Sequence, residues 1–312
     1  MIATRVAYGK TLIALGESKP DVVVLDADLS KSTMTSEFAK RFPDRFIQMG
    51  IAEQDMMGTA AGLAAAGKVP YASTFAVFAA GRAFDQVRNS IAYPRLKVRI
   101  CATHAGVTVG EDGASHQSVE DIALMRAVPN MTVIVPSDAV QTEWAVEAAY
   151  DVDGPVFIRL GRAPVPLLYQ PGHDFELGRA VMLADGEDVT LIACGVMVSQ
   201  AVAAREILAG EGISARVLDM ATVKPLDGDA VARAARETGA IVTAEEHSVL
   251  GGLGGAVCEA VSEICPVPVI RVGMKDEFGK SGKPTELLDK FGLTAEGISR
   301  AARQAVRLKI RA

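Results

Sequence analysis

Short apolar runs recur at residues 22–25, 46–49, 98–101, 132–135 and 156–158, with longer stretches between them in which apolar residues return at helical spacing. Runs this short and continuous suit strands buried on both faces, and their alternation with helices predicts a parallel sheet covered on both sides. A second series follows near 189–193, 215–218, 240–244 and 267–272, again with helices between and two helical segments after it. Between Arg162 and Gly178 neither period persists, and Ala163-Pro164-Val165-Pro166 and Pro171-Gly172 mark a linker. The pattern predicts an α/β protein with two consecutive open, mostly parallel-sheet domains, 1–165 and 181–312, joined through 166–180. Ligands in such sheets bind at the carboxyl ends of strands, where this chain carries Asp26-Ala27-Asp28 and Ala102-Thr103-His104.

Composition narrows the field. With 312 residues and 49% hydrophobic content the chain can bury two medium-sized cores. A net charge of −6 without a basic stripe argues against nucleic acid or an anionic membrane surface as partner. No segment reaches the roughly 18 consecutive apolar residues of a spanning helix, and the first residues lack the apolar core of a signal peptide, so the cytoplasm is the expected compartment. Cys101, Cys194, Cys258 and Cys265 are scattered without metal-ligand or redox spacing and read as reduced, buried thiols.

Three segments carry the candidate chemistry. Gly50-Ile51-Ala52-Glu53-Gln54-Asp55-Met56 sets a carboxylate at the start of a helix continuing through Gly58-Thr59-Ala60-Ala61-Gly62-Leu63-Ala64-Ala65-Ala66-Gly67, small enough for close approach to another backbone. A lone Glu at a helix start complements the helix dipole. Its context here includes Ser73-Thr74-Phe75-Ala76-Val77-Phe78, whose two aromatics suit the face and edge of a flat heterocycle. The third segment, running from Ala102-Thr103-His104 to Gly110-Glu111-Asp112-Gly113-Ala114-Ser115-His116-Gln117, places two of four histidines and Asp112 on a glycine-rich loop. Those side chains suit hydrogen bonding to hydroxyls and proton transfer at a carbonyl oxygen better than metal ligation.

Together these segments, with Met125-Arg126-Ala127-Val128-Pro129-Asn130 and Val135-Pro136-Ser137-Asp138-Ala139, resemble the pyrimidine-binding domain of transketolase. Phe278-Gly279-Lys280-Ser281-Gly282 and Phe291-Gly292-Leu293-Thr294-Ala295-Glu296 resemble its carboxyl-terminal domain. The resemblance implies a thiamine diphosphate pyrimidine-binding fold followed by a transketolase C-terminal domain. Glu53 would then hydrogen-bond ring nitrogen N1′ of the cofactor, Phe75 and Phe78 would hold the pyrimidine, and Leu29 would wall the thiazolium. His104, Asp112 and His116 would contact the ketose donor, with His104 and His116 also in catalysis. Ser32, in Ala27-Asp28-Leu29-Ser30-Lys31-Ser32, and Arg162, followed four residues later by Pro166, would grip its phosphate, with Arg159 a rival for that role. One departure is Gly81, where the family carries a further aromatic; Phe84 is the candidate to complete the packing.

The family's Gly-Asp-Gly tract, followed by the Asn that ligates magnesium, is not found in this sequence; Gly186-Glu187-Asp188 and Asp227-Gly228-Asp229 are superficial echoes. The resemblance therefore implies a split transketolase, in which a separate N-terminal subunit holds the diphosphate and Mg2+ and two copies of each chain assemble as α2β2. The reaction implied is transfer of a two-carbon ketol unit between sugar phosphates. Alternatives are a transketolase for a branched or sulfonated sugar, a deoxyxylulose phosphate synthase-like or 2-oxo acid dehydrogenase beta-like subunit, and a non-catalytic scaffold. The Gly251-Gly252-Leu253-Gly254-Gly255 run lacks a dinucleotide fingerprint and reads as close packing at a helix end, with His247 interfacial.

Overall fold

The computed structural model describes residues 1–309, so the last three residues of the second expected domain lie outside it. In chain order the strands are β1 Ile2–Ala3, β2 Val22–Asp26, β3 Phe46–Gln48, β4 Val69–Phe75, β5 Arg99–Thr103, β6 Thr132–Ile134 and β7 Val156–Arg159. Then come β8 Pro164–Val165, β9 Val181–Ala184, β10 Val189–Ala193, β11 Ala215–Asp219, β12 Thr222–Lys224, β13 Ile241–Ser248 and β14 Val269–Met274. A seven-stranded sheet runs β12-β6-β7-β5-β4-β2-β3 and a five-stranded sheet runs β14-β13-β10-β11-β9. Both are parallel except at one edge, where β12 and β9 are antiparallel to their neighbours. The α/β class and the mostly parallel sheets are as the hydrophobic pattern predicts.

The central strands β2, β4, β5 and β10 are buried at every position. Helices therefore have to cover both faces, as continuous apolar strands demand. The pattern missed β4, β9 and β12. β12 belongs in sequence to the second half but extends the first sheet, pairing Thr222 with Ile134. The largest apolar core runs accordingly through both halves, joining Leu25, Ile100 and Phe157 to Ile192, Leu218 and Ile241.

Two features of register place the functional segments. Asp26 pairs with Ser73 and Phe75 with Thr103, so the carboxyl ends of β2, β4 and β5 lie side by side. A short strand also precedes the expected linker, where β8 pairs antiparallel with β1, Ala3 against Pro164. That pairing lays the start of the first helix, Thr4–Ser18, beside Arg162.

Cys101 and Cys194 are buried, whereas Cys258 and Cys265 are half-buried. Among the described residues no helix is long and apolar enough to cross a membrane.

Candidate active site

Glu53 opens the helix Glu53–Ala65, where unpaired backbone N–H groups and the helix dipole favour an anion. Its carboxylate is 1% exposed and accepts a 2.7 Å hydrogen bond from Nη1 of Arg82. Arg82 also lies over the Phe78 ring, 4.3 Å from its centroid. Sequence reasoning missed this arginine, although a buried carboxylate demands such a partner.

Phe75, the last residue of β4, is buried, and Phe78 follows in the π-helical turn Phe78–Arg82. The two rings stack at 6.0 Å, and the imidazole of His104 stacks on Phe75 at 3.8 Å. His116 meets both phenylalanines edge-on, 6.2 Å from Phe75 and 5.6 Å from Phe78. Four rings from three segments of the chain thus form one cluster, with Glu53 tied to it through Arg82. Gly81 is exposed, with open space where a side chain would stand. Phe84 is not within reach of that space and packs against the large apolar core.

His104 follows β5 directly and adopts φ 55°, a left-handed conformation that costs a non-glycine residue about 1 kcal/mol or more and is typical of functional sites. Thr103 Oγ1 lies 2.9 Å from its Nδ1. Burial pushes the imidazole down to about 3, reinforced by the nearby charges of Arg5, Arg162 and His116. His104 is therefore neutral in ordinary solution. Arg5 is the second residue that sequence reading missed. Its Nη1 donates to the Ser32 carbonyl at 2.6 Å, and its buried Nε has no partner. Burial, and after it Arg162, lowers its affinity for a proton. Cations that disfavour one another in this way are arranged for an anion, and guanidinium groups match a phosphate best.

The sequence left Arg159 and Arg162 as rivals, and their surroundings differ sharply. Arg159 is 6% exposed; its Nε donates to Asp121 at 2.7 Å and its Nη2 to the carbonyls of Glu246 and Ser118 at 2.9 and 3.3 Å. Arg162 is half-buried, donates to the Val109 carbonyl, and stands 3.6 Å from Glu111 and 3.7 Å from Asp112. Arg162 is thus the one that shares a site with His104 and Arg5.

Asp26, buried at the end of β2, shapes the segment holding Leu29 and Ser32. Its carboxylate accepts from Leu29 N at 2.6 Å, Thr33 Oγ1 at 2.6 Å and Thr35 Oγ1 at 2.9 Å. Leu29, which caps the start of the helical turn Ser30–Thr33, and Ser32 within it are half-buried, and the Ser32 carbonyl accepts from Arg5. Among the described residues no three His, Cys, Asp or Glu side chains converge as metal ligands.

Residues 1–166 match the model of the transketolase pyrimidine-binding domain and residues 178–298 that of the transketolase C-terminal domain. A solved split-gene transketolase, described as an inactive beta4 tetramer, is 58% identical, with a TM-score of 0.93 over 99% of this chain and 100% of that one. A 6-deoxy-6-sulfo-D-fructose transketolase subunit of Clostridium sp. (strain MSTE9) is 45% identical over 98% of this chain and 95% of its own. An apulose-4-phosphate transketolase subunit of Phocaeicola vulgatus is 43% identical over 98% of each. A buried helix-start carboxylate beside two phenylalanines, an imidazole pair and a loop-borne arginine, on a chain matched along nearly its whole length, leads to one conclusion: this protein belongs to the transketolase family, of which it carries the pyrimidine-binding and C-terminal domains.

Proposed function

We propose that this chain supplies the pyrimidine-binding side of a ketol-transferring active site and that a second polypeptide supplies the side that binds diphosphate and magnesium. The family depends on thiamine diphosphate, which, when bound, supplies the carbanion chemistry of the reaction. The carrying observation is the convergence of Glu53, Phe75, Phe78, His104 and His116 at adjoining strand ends.

The residues present fit the pyrimidine half of the cofactor. Glu53 would hydrogen-bond a ring nitrogen from a dry setting, its carboxyl group donating, and Phe75 and Phe78 offer apolar ring faces. Leu29 contributes a wall for the thiazolium. His104, neutral and buried, would hydrogen-bond the donor's oxygen atoms, and His116 stands edge-on to the Phe75 ring on which His104 stacks. Asp112 reads hydroxyl configuration from the exposed rim. Arg162, Arg5 and Ser32 hold the phosphate, with Arg5 added on its unpaired Nε and its closeness to Arg162.

The diphosphate and its Mg2+ belong on the partner, because this sequence carries no Gly-Asp-Gly tract and the described residues no cluster of metal ligands. Inactivity of the similar beta4 tetramer supports a requirement for that second chain, and two copies of each give an α2β2 assembly. The relatives named for a sulfonated fructose and for apulose 4-phosphate support a second reading, in which the same machinery serves an unusual sugar.

The test is to purify the chain with whatever copurifies from its own cells and assay ketol transfer from xylulose 5-phosphate to ribose 5-phosphate with thiamine diphosphate and magnesium. Activity with a chain carrying Gly-Asp-Gly is expected. That partner without activity on these sugars would favour the unusual substrate, and absence of any partner would overturn the split-enzyme reading.

A further inference from the structure

The carboxyl-terminal half of the molecule grips the loop bearing Asp112 and His116 from two sides. Beneath its start, Glu246, in β13 and 4% exposed, accepts a 2.5 Å hydrogen bond from the backbone N–H of Thr108. Gly106 has φ +79°, and a Cβ there would stand 2.2–2.5 Å from the Glu246 carboxyl atoms, so backbone and carboxylate touch with no room for a side chain. At the far end, the amide nitrogen of Gln117, a residue 3% exposed, faces three carbonyl oxygens: Val107 and Gly110 of the loop at 3.1 Å, and Lys280 at 2.8 Å. Only a donor can occupy that position, and an amide NH2 has two hydrogens to share among them.

Lys280 lies in the segment between β14 and the helix Pro284–Phe291, and glycines on both sides let this segment fit closely against the loop. A Cβ on Gly279 would stand 1.8 Å from Gln117 Oε1, and one on Gly113 2.5 Å from Ser281 Oγ. Gly106, Gly110 and Gly113 all have positive φ, so the loop has the backbone freedom of glycine at three points and does not choose its own shape. The contacts from the second half choose it.

We propose that the carboxyl-terminal domain is a brace for the donor loop, with Glu246 and Gln117 as positioning residues that set how deeply residues 106–117 sit and hence where Asp112 and His116 meet substrate. This rests on reading that loop as a wall of the donor site.

Gly279→Ala drives a methyl group into Gln117, and Gln117→Met keeps the length while removing the donors. Backbone hydrogen exchange on the purified chain is expected to accelerate about ten-fold or more across 106–117 in both variants while β4 and β5 keep their protection. In the complex with its copurifying chain, donor KM is expected to rise about ten-fold or more with cofactor affinity unchanged, because displacements of an ångström at a reacting group are costly. His116→Ala, measured alongside, separates the two readings. If it leaves donor KM unaltered, the donor-wall assignment fails and the exchange result alone decides the brace. If it raises donor KM while both other variants match wild type in exchange and KM, the brace is overturned. Uniform loss of protection throughout the chain in both variants would overturn it equally, since Gln117 would then be holding the whole fold.

Discussion

At the carboxyl ends of β2, β4 and β5, Asp26 orders a turn, Phe75 and His104 stack, and Arg5 feels the charge of Arg162, whose own counter-charges are the more exposed Glu111 and Asp112. The corresponding ends of the second sheet carry groups as polar as these, yet they are largely engaged within the protein, although Asp219 Oδ1 is left without a partner. Asp219 of β11 accepts from Ser137 Oγ at 2.8 Å and from the Tyr169 hydroxyl at 2.7 Å. In β13, Glu245 accepts from Leu253 N and Gly254 N at the start of the next helix, Glu246 holds Thr108, and His247 Nε2 accepts from Ala123 N. Sheets of one design place polar residues at the same end. Whether that end becomes a site depends on what the rest of the chain packs against it. Here the second sheet turns its polar end towards the first domain and serves as an anchor.

The largest effect that separates the two ends should come from Glu53. Glu53→Ala is expected to lower ketol transfer by about 10³-fold with assembly intact, in the range a positioned acid or base contributes, while Glu245→Ala should lower Tm and spare turnover. Full activity in Glu53→Ala would sink the assignment of the first sheet as the reactive one. Next is Arg159→Met, which leaves the wholly buried Asp121 uncompensated at the junction; a loss of about 3–5 kcal/mol by denaturant titration is expected. Arg162→Met, at a half-exposed position, should change stability by less than about 1 kcal/mol and appear in the KM for phosphorylated donors. Equal stability losses would erase the distinction between the arginines.

The smallest effect concerns pH. Burial raises the Asp219 carboxyl from 3.8 to about 6. The folded chain then holds a proton that the unfolded chain releases, so this group's contribution to stability falls as pH rises from about 4 to 6 and is level above. His104, lowered from 6.5 to about 3, has the opposite sign: stability is lost as pH falls below about 6.5. The difference in Tm between wild type and Asp219→Asn isolates the first contribution. It should favour the variant by a few degrees more at pH 7 than at pH 4.5, and a constant difference would show that Asp219 is not protonated in the folded state.

Much of this was legible in the chain. The predicted strand at 189–193 is β10 to the residue, and 22–25 lies within β2, because a continuous apolar run bounded by turn residues has few alternatives. β4 was missed because Pro70 and Ser73-Thr74 interrupt its apolar character, and β12 because three residues carry no period. Arg99 is wholly buried inside β5, where its guanidinium caps carbonyls of Tyr150, Val152 and Gly154. No pattern of apolar residues announces that.

Local order explains what the sequence determined by itself: the alternation of strands and helices, the carboxylate at a helix start, the aromatic pair three residues apart and the glycine-rich loop are each properties of a few neighbouring residues, set by periodicity and backbone preference. Tertiary structure decided the rest. Arg5 lies near Arg162 because β1 pairs with β8, Arg82 reaches Glu53 only through a π-helical turn, and the loop 106–117 meets Glu246 and Lys280 only because the two halves share a core. Charges and hydrogen bonds act over a few ångströms of space whatever the separation along the chain, so their partners emerge only when the strands have taken their order.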